Sequence, residues 1–187
     1  LYGSGLIPPG TGVLLNDEMD DFALKPGTPN AFGVMGYDAN APEPGKRMLS
    51  SMTPTFMQSP GRVTVLGTPG GSRIITMVLL GILGYDAGLD AQAVAALPRY
   101  HHQWMPDRIQ AEAGAFDPDV AQGLRDLGHT LQLPGDEAEG GRGSSHVWGN
   151  LQTVEWRLSD NSLGAGSDPR NPVGSGATRP VGAAAGG

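Results

Sequence analysis

The tightest constraint on the fold lies between Val63 and Leu83. A β-branched run, Val63-Thr64-Val65-Leu66, leads into Gly67-Thr68-Pro69-Gly70-Gly71-Ser72. The apolar segment Arg73 to Leu83 follows at once. This order predicts a strand, a tight turn and a core helix buried on nearly every side, with Ser72 as its N-cap. Two successive glycines at such a junction expose backbone N–H groups without side-chain obstruction. The nest they form suits an anionic oxygen, either a phosphate or the oxyanion of a tetrahedral intermediate, or it is simply a tight turn. No Gly-Lys-Ser/Thr follows, so it is not a Walker loop, and the third glycine of a dinucleotide fingerprint is missing.

Composition removes several other classes. Nineteen acidic residues against twelve Lys and Arg give a formal charge of −7, which argues against a nucleic-acid partner. Cysteine is absent, so disulfides, thiolate nucleophiles and cysteine-based zinc sites are excluded. The longest apolar stretch falls well short of the roughly 20 residues a membrane helix needs. Thirty glycines and 16 prolines punctuate the 187 residues, densely in the first forty-five, where only short strands fit between loops.

Val13-Leu14-Leu15 is expected as a short buried strand and Arg47 to Met52 as a second. Thr55-Phe56-Met57 and Arg62 to Leu66 flank Ser59-Pro60-Gly61, which predicts a hairpin. A helix from about Asp90 stops at Pro98, and Asp117-Pro118 opens another that Gly128 closes. His129 to Leu133 and Val147 to Leu158 are expected as strands, the latter ending at an Asp160-Asn161 turn. Pro134 to Ser145 is expected as a polar loop. Asn171 to Gly187 has no apolar period and is expected to be a flexible tail. Strands mixed with two or three helices suggest a layered α and β arrangement.

Three further clusters carry chemistry. Glu18, Asp20 and Asp21 form either a plain solvated acidic turn, the reading the residues alone favour, or a site whose mutual repulsion a cation relieves: an ammonium, a metal or an arginine. Against calcium, the alternating ligands of a calcium loop are lacking. The Ser50-Ser51 hydroxyls and N–H groups can bind a carboxylate, and neither serine lies in a nucleophile elbow. His101-His102 are adjacent and point in different directions, which favours packing or hydrogen bonding over chelation of one metal. His129 and His146 stand alone, and Trp104, Trp148 and Trp156 read as core or interface anchors.

Taken together, these segments follow a known order. Leu14-Leu15-Asn16-Asp17-Glu18-Met19-Asp20-Asp21-Phe22 resembles the Leu-Asn-x-Gln/Glu-Met-Asp-Asp-Phe signature of the γ-glutamyltransferase (γ-glutamyl transpeptidase) family. Pro44-Gly45-Lys46-Arg47-Met48-Leu49-Ser50-Ser51-Met52-Thr53-Pro54-Thr55 resembles its Lys-Arg-Pro-Leu-Ser-Ser-Met-x-Pro-Thr block. Gly67 to Ile74 is similar to the Gly-Ser/Thr-Pro-Gly-Gly-Ser-Arg-Ile block. Pro98-Arg99-Tyr100-His101-His102-Gln103-Trp104 and Gly166-Ser167-Asp168-Pro169-Arg170 match two more. The resemblance covers Leu1 to about Arg170.

This resemblance implies an α+β chain, the small-subunit portion of the four-layer αββα sandwich of N-terminal-nucleophile hydrolases. Such a precursor, a zymogen, cleaves itself autocatalytically and exposes a threonine nucleophile. That threonine is expected roughly twenty residues before Leu1, since it needs a free α-amine as its base. The resemblance further implies that Glu18 and Asp21 take the α-ammonium of a γ-glutamyl donor and that Ser50 and Ser51 take its α-carboxylate. Gly70 and Gly71 would form the oxyanion hole. The implied activity is acyl transfer from glutathione and related amides to water, an amino acid or a peptide, without cofactor or metal. The implied partner is a large subunit from the same precursor, forming a heterodimer. Relatives acting as cephalosporin acylases or poly-γ-glutamate transpeptidases, or a non-catalytic glutamyl-binding module, are the alternatives. The family suggests a periplasmic or extracellular location, any signal belonging to the large subunit.

Overall fold

A computed structural model of the chain describes residues 3–30, 34–134 and 148–170, together with the backbone of 179–180. It divides into two units, Leu1–Ser51 and Met52–Gly187.

In the first unit, side-chain amides rather than strand ladders organise the backbone. Short 3-10 turns form at Glu18–Asp21 and Asp38–Asn40, and Phe22 and Ala23 are buried. The expected strand at Val13 to Leu15 does not form. These residues are extended, with Val13 57% exposed, and are tied only to the preceding loop by Leu15 N–H to Leu6 O at 3.0 Å and Ser4 N–H to Leu15 O at 2.9 Å. The physical reason is that the described residues of this unit contain no sheet to receive them. Arg47 to Met52 is likewise extended and does not form the expected strand; the Leu49 N–H is taken up by the Asn40 side chain.

The second unit is built on a five-stranded antiparallel sheet in the order β1-β2-β6-β7-β8. Its strands are β1 (Thr55–Ser59), β2 (Arg62–Gly67), β6 (Gln152–Arg157), β7 (Ser162–Ser167) and β8 (Arg179–Pro180). The β1–β2 hairpin turns at Pro60-Gly61, as its sequence predicts. Helix α1 (Ile74–Asp86) and helix α2 (Ala91–Ala96) cover one face. Alternation turns Thr64, Leu66, Thr153 and Glu155 toward those helices, all buried. The core joins Leu66, Ile74, Val78, Tyr85, Val94, Ala95 and Leu151. Contact is closest where α2 meets β7: a Cβ on Gly166 would lie 2.0 Å from the Ala91 carbonyl oxygen, so only glycine lets the helix rest there.

Helix α1 is buried on one side only. Met77, Val78 and Tyr85 face the core, while Ile75, Leu79 and Leu83, a turn apart, are each at least 50% exposed. One side of the helix is left uncovered among the described residues, which corrects the expectation of all-round burial. Arg62 closes its C-terminal end, donating to the Tyr85 and Leu89 carbonyls at 2.7 and 2.8 Å and lying over the Tyr85 ring. Asp90 caps α2 by accepting the Ala93 N–H at 2.8 Å.

A second, three-stranded sheet joins β3 (Tyr100–His101), β4 (Ile109–Ala111) and β5 (Leu131–Gln132), with α3 (Pro118–Asp126) between β4 and β5 in the chain. The strand expected from Val147 is shorter, because Gly149 at φ +72° turns the backbone before β6. Val147, His146 and the loop expected to follow Pro134 lie outside the described residues. So does the expected tail, except that Arg179 and Leu163 pair across β8 and β7.

Candidate functional site

The acidic turn is assembled from backbone contacts. Asn16 Oδ1 accepts the Glu18 N–H at 3.1 Å, and the Asp20 N–H donates to Asp17 O at 3.0 Å. The Asn30 and Asn40 amides donate to the carbonyls of Asp20 and Asp21, at 3.3 and 2.7 Å. Three carboxylates are thereby crowded onto one turn. No ion pair among the described residues involves Glu18, Asp20 or Asp21. Burial, then the charges of Glu18, Asp20 and Asp17, push the Asp21 carboxyl above its ordinary value. Asp21 also lines a cavity of about 370 Å³ together with Lys25, Asn30, Tyr37, Asn40 and Leu49.

Asn40 links this turn to the serine stretch. Its Nδ2 donates to Asp21 O, while its Oδ1 accepts the Leu49 N–H at 2.9 Å. One side chain therefore fixes the backbone beside Asp21 and the backbone immediately before Ser50-Ser51. Ser50 is exposed and Ser51 half-buried. The structure thus brings Glu18 and Asp21 into one unit with Ser50 and Ser51. Sequence reading passed over Asn40, whose role depends on two partners 19 and 9 residues away.

Gly70 and Gly71 lie in the second unit, between β2 and α1. Their φ angles of +145° and +58° are ones that side chains disfavour. Gly70 O accepts the Arg73 N–H at 3.2 Å, opening a 3-10 turn over Gly71–Arg73 that runs into α1. Neither the Gly70 nor the Gly71 N–H is used in a hydrogen bond among the described residues. The pair stands at the positive end of a 13-residue helix, where negative charge is favoured. Its loop is braced by a segment the sequence did not flag. Thr68 Oγ1 accepts the Asn150 N–H at 2.9 Å, and a Cβ on Gly149 would lie 2.3 Å from Pro69 O.

Ser72 does not cap α1. The intervening 3-10 turn carries its hydroxyl to Gln103 Oε1, 2.5 Å away, instead. His101 and His102 part as expected: His101 is buried against Thr76 and Gln103, whereas His102 Nε2 meets Asp107 Oδ1 at 3.1 Å. His129 packs edge-on to His102. Arg99 and the Asp168-Pro169-Arg170 block prove structural. Arg99, 2% exposed, donates to Asp168 at 2.7 Å, and Arg170 bridges Asp168 to Glu112.

The family model described as Gamma-glutamyltranspeptidase matches residues 1–178. A glutathione hydrolase proenzyme of Pseudomonas aeruginosa is 45% identical over 90% of this chain, and one of Escherichia coli is 42% identical over 91%. The chain spans 29% and 27% of the lengths of those two relatives. Among solved structures, an acivicin-inhibited gamma-glutamyltranspeptidase superposes with a TM-score of 0.74 at 38% identity, over 92% of this chain and 88% of that one. The Pseudomonas nitroreducens gamma-glutamyltranspeptidase complexed with L-DON gives 0.70 at 44% identity, over 93% and 86%. The fold is that of an N-terminal-nucleophile hydrolase, of which the chain contributes an antiparallel sheet and its helical cover. The chain belongs to the gamma-glutamyltranspeptidase family.

Proposed function

We propose that this chain is the small-subunit portion of a γ-glutamyl acyl transferase and hydrolase that acts on glutathione and related γ-glutamyl amides. The observation that carries the reading is a crowded acidic turn, without a cation partner among the described residues, tied through Asn40 to a pair of serines. A zwitterionic amino-acid head answers both features. Its α-ammonium relieves the repulsion at Glu18 and Asp21, and its α-carboxylate takes hydrogen bonds from Ser50 and Ser51. Holding the head at both poles orients the γ-carbonyl for attack.

The nucleophile is a threonine outside this sequence, with its α-amine as base. Its oxygen adds to the γ-carbonyl, and the resulting oxyanion takes the N–H groups of Gly70 and Gly71. The amine departs with a proton, leaving a γ-glutamyl ester. Water or an amino-acid or peptide amine then displaces the threonine oxygen through a second oxyanion in the same nest. Each N–H aimed at that oxygen contributes roughly 3 kcal/mol to the barrier reduction.

The partner is the large subunit of the same precursor, and export to the periplasm or the medium is part of the same proposal. Supporting the glutathione-type donor, the relatives above 40% identity bear glutathione hydrolase names. A poly-γ-glutamate or cephalosporin reading has less behind it, since the CapD transpeptidase and cephalosporin acylase structures are 20% and 23% identical and share the fold alone. The test is amine release from a γ-glutamyl anilide by the complete assembled protein. Steady turnover, with none on the N-acetylated anilide that lacks the ammonium, is expected. Binding of glutamate without any turnover would favour a non-catalytic module.

A further inference from the structure

The Ser72–Gln103 contact has a fixed polarity. The Gln103 amide is oriented from its far end, where Nε2 donates to the Met105 carbonyl at 2.9 Å. Its Oε1 can therefore only accept, and it does so twice: from the Ser72 hydroxyl at 2.5 Å and from His101 Nε2 at 2.8 Å. His101 consequently carries a proton on Nε2. Its Nδ1 therefore accepts from the Thr76 hydroxyl, 2.7 Å away.

These contacts form a chain. It runs from Ser72 through Gln103 and His101 to Thr76, and so ties the 3-10 turn Gly71–Arg73 to the first turn of α1. The far anchor is the Met105 carbonyl, and Trp104 between Gln103 and Met105 has φ +73°. His101 is buried on β3, on the sheet that adjoins α1.

We infer that Gln103 is a positioning residue for the oxyanion site: by holding the Ser72 hydroxyl it fixes the direction in which the Gly70 and Gly71 N–H groups point. The inference rests on the acyl-transfer reading of the glycine pair. Donors aimed at a developing charge are effective only within tight limits of about 0.5 Å and 10–20°. Gln103 touches no part of the donor's amino-acid head as read above, so its loss affects the transition state and not donor capture.

The experiment uses the complete assembled enzyme and a γ-glutamyl anilide, with Gln103→Leu, Ser72→Ala, Ser72→Thr, the Gln103→Leu/Ser72→Ala pair and Gly71→Val. Losing one oxyanion donor outright costs about 10²–10³ in kcat. Misaiming donors that remain is therefore expected to lower kcat by about 10- to 50-fold in Gln103→Leu and in Ser72→Ala, with KM within about twofold. The double variant should be no worse than Gln103→Leu, because both changes break one contact. Ser72→Thr, which keeps the hydroxyl, should recover most of the rate. Should Gln103→Leu fail to fold, Ser72→Ala against Ser72→Thr decides the matter alone. Wild-type kcat in Ser72→Ala or Gln103→Leu, a loss confined to KM, or equal impairment of Ser72→Thr and Ser72→Ala would overturn the inference. If Gly71→Val also keeps wild-type kcat, the oxyanion reading itself fails; if only Gly71→Val is inactive, the positioning role alone falls.

Discussion

At the scale of one residue, Asp21 carries the most direct test of the proposed ammonium site. Burial and three neighbouring acids raise its carboxyl above 3.8. With the folded value raised, the native state binds a proton before the unfolded chain does, so this group's contribution to stability falls as pH rises through that interval. Capture of an ammonium requires the ionised form and therefore runs the other way. The KM for the donor should rise as pH falls through the raised Asp21 value, and Asp21→Asn should remove that part of the profile. A hydrogen bond to a charged group contributes about 1.5–3 kcal/mol, so the same substitution should raise KM by about ten- to a hundredfold with little change in melting temperature. An unaltered KM in steady-state assays would count against the ammonium role. At Gly71, φ +58° makes a β-branched side chain cost about 1–2 kcal/mol of stability. Gly71→Val should accordingly lose some thermal stability and, separately, about 10²–10³ in kcat, which a melt run beside the kinetics will resolve. Of the candidate residues, the acids, serines and glycines were legible because each is a local cluster of like chemistry. Asn40, Gln103 and Gly149 were not, since each acts by reaching a backbone or side chain that only folding brings near.

Among the elements, punctuation located one hairpin and two helices. Pro60-Gly61 made the β1–β2 hairpin, Asp90 capped α2, and Asp117-Pro118 with Gly128 bounded α3. Strands β3 and β4 are two and three residues long, and β7, Ser-Leu-Gly-Ala-Gly-Ser, is made of small residues with weak strand preference, so neither signal rose above the loops. Val13 to Leu15 misled for the opposite reason, being apolar yet exposed. The least legible tie is the buried ion cluster that joins the start of β3 to the end of β7, because Arg99 and Asp168 are 69 residues apart. Burial alone would raise the Asp168 carboxyl. The Arg170 N–H, the Arg99 guanidinium and the Leu151 N–H outweigh it and hold the group below 3.8. Its stabilising contribution is therefore full above about the unfolded value and is lost as pH falls through the depressed folded one. Asp168→Asn leaves a buried guanidinium without its counter-charge and should cost about 3–5 kcal/mol in chemical denaturation. A loss under 1 kcal/mol would show that Arg99 finds other compensation.

For the whole molecule, the outward face of the large sheet is the telling surface. Phe56, Val154, Trp156 and Leu163 line it and are exposed, Phe56 by 78%, while Val63 and Val65 between them are half-buried. An apolar sheet face of this kind marks packing against another layer, in keeping with the proposed large-subunit partner. This chain produced alone should enhance the fluorescence of an apolar dye and self-associate, whereas the assembled protein should do neither. No dye response from the isolated chain would contradict that assignment. The central proposal is an amino-acid head gripped at its two charges and a glycine pair that takes the oxyanion. A crystal structure of the assembled protein with glutamate bound tests it most directly. The expected result has the α-ammonium on Glu18 and Asp21, the α-carboxylate on Ser50 and Ser51, and the γ-carboxyl oxygen within hydrogen-bonding distance of the Gly70 and Gly71 N–H groups. Glutamate bound elsewhere, or these six residues opening onto separate cavities, would contradict it.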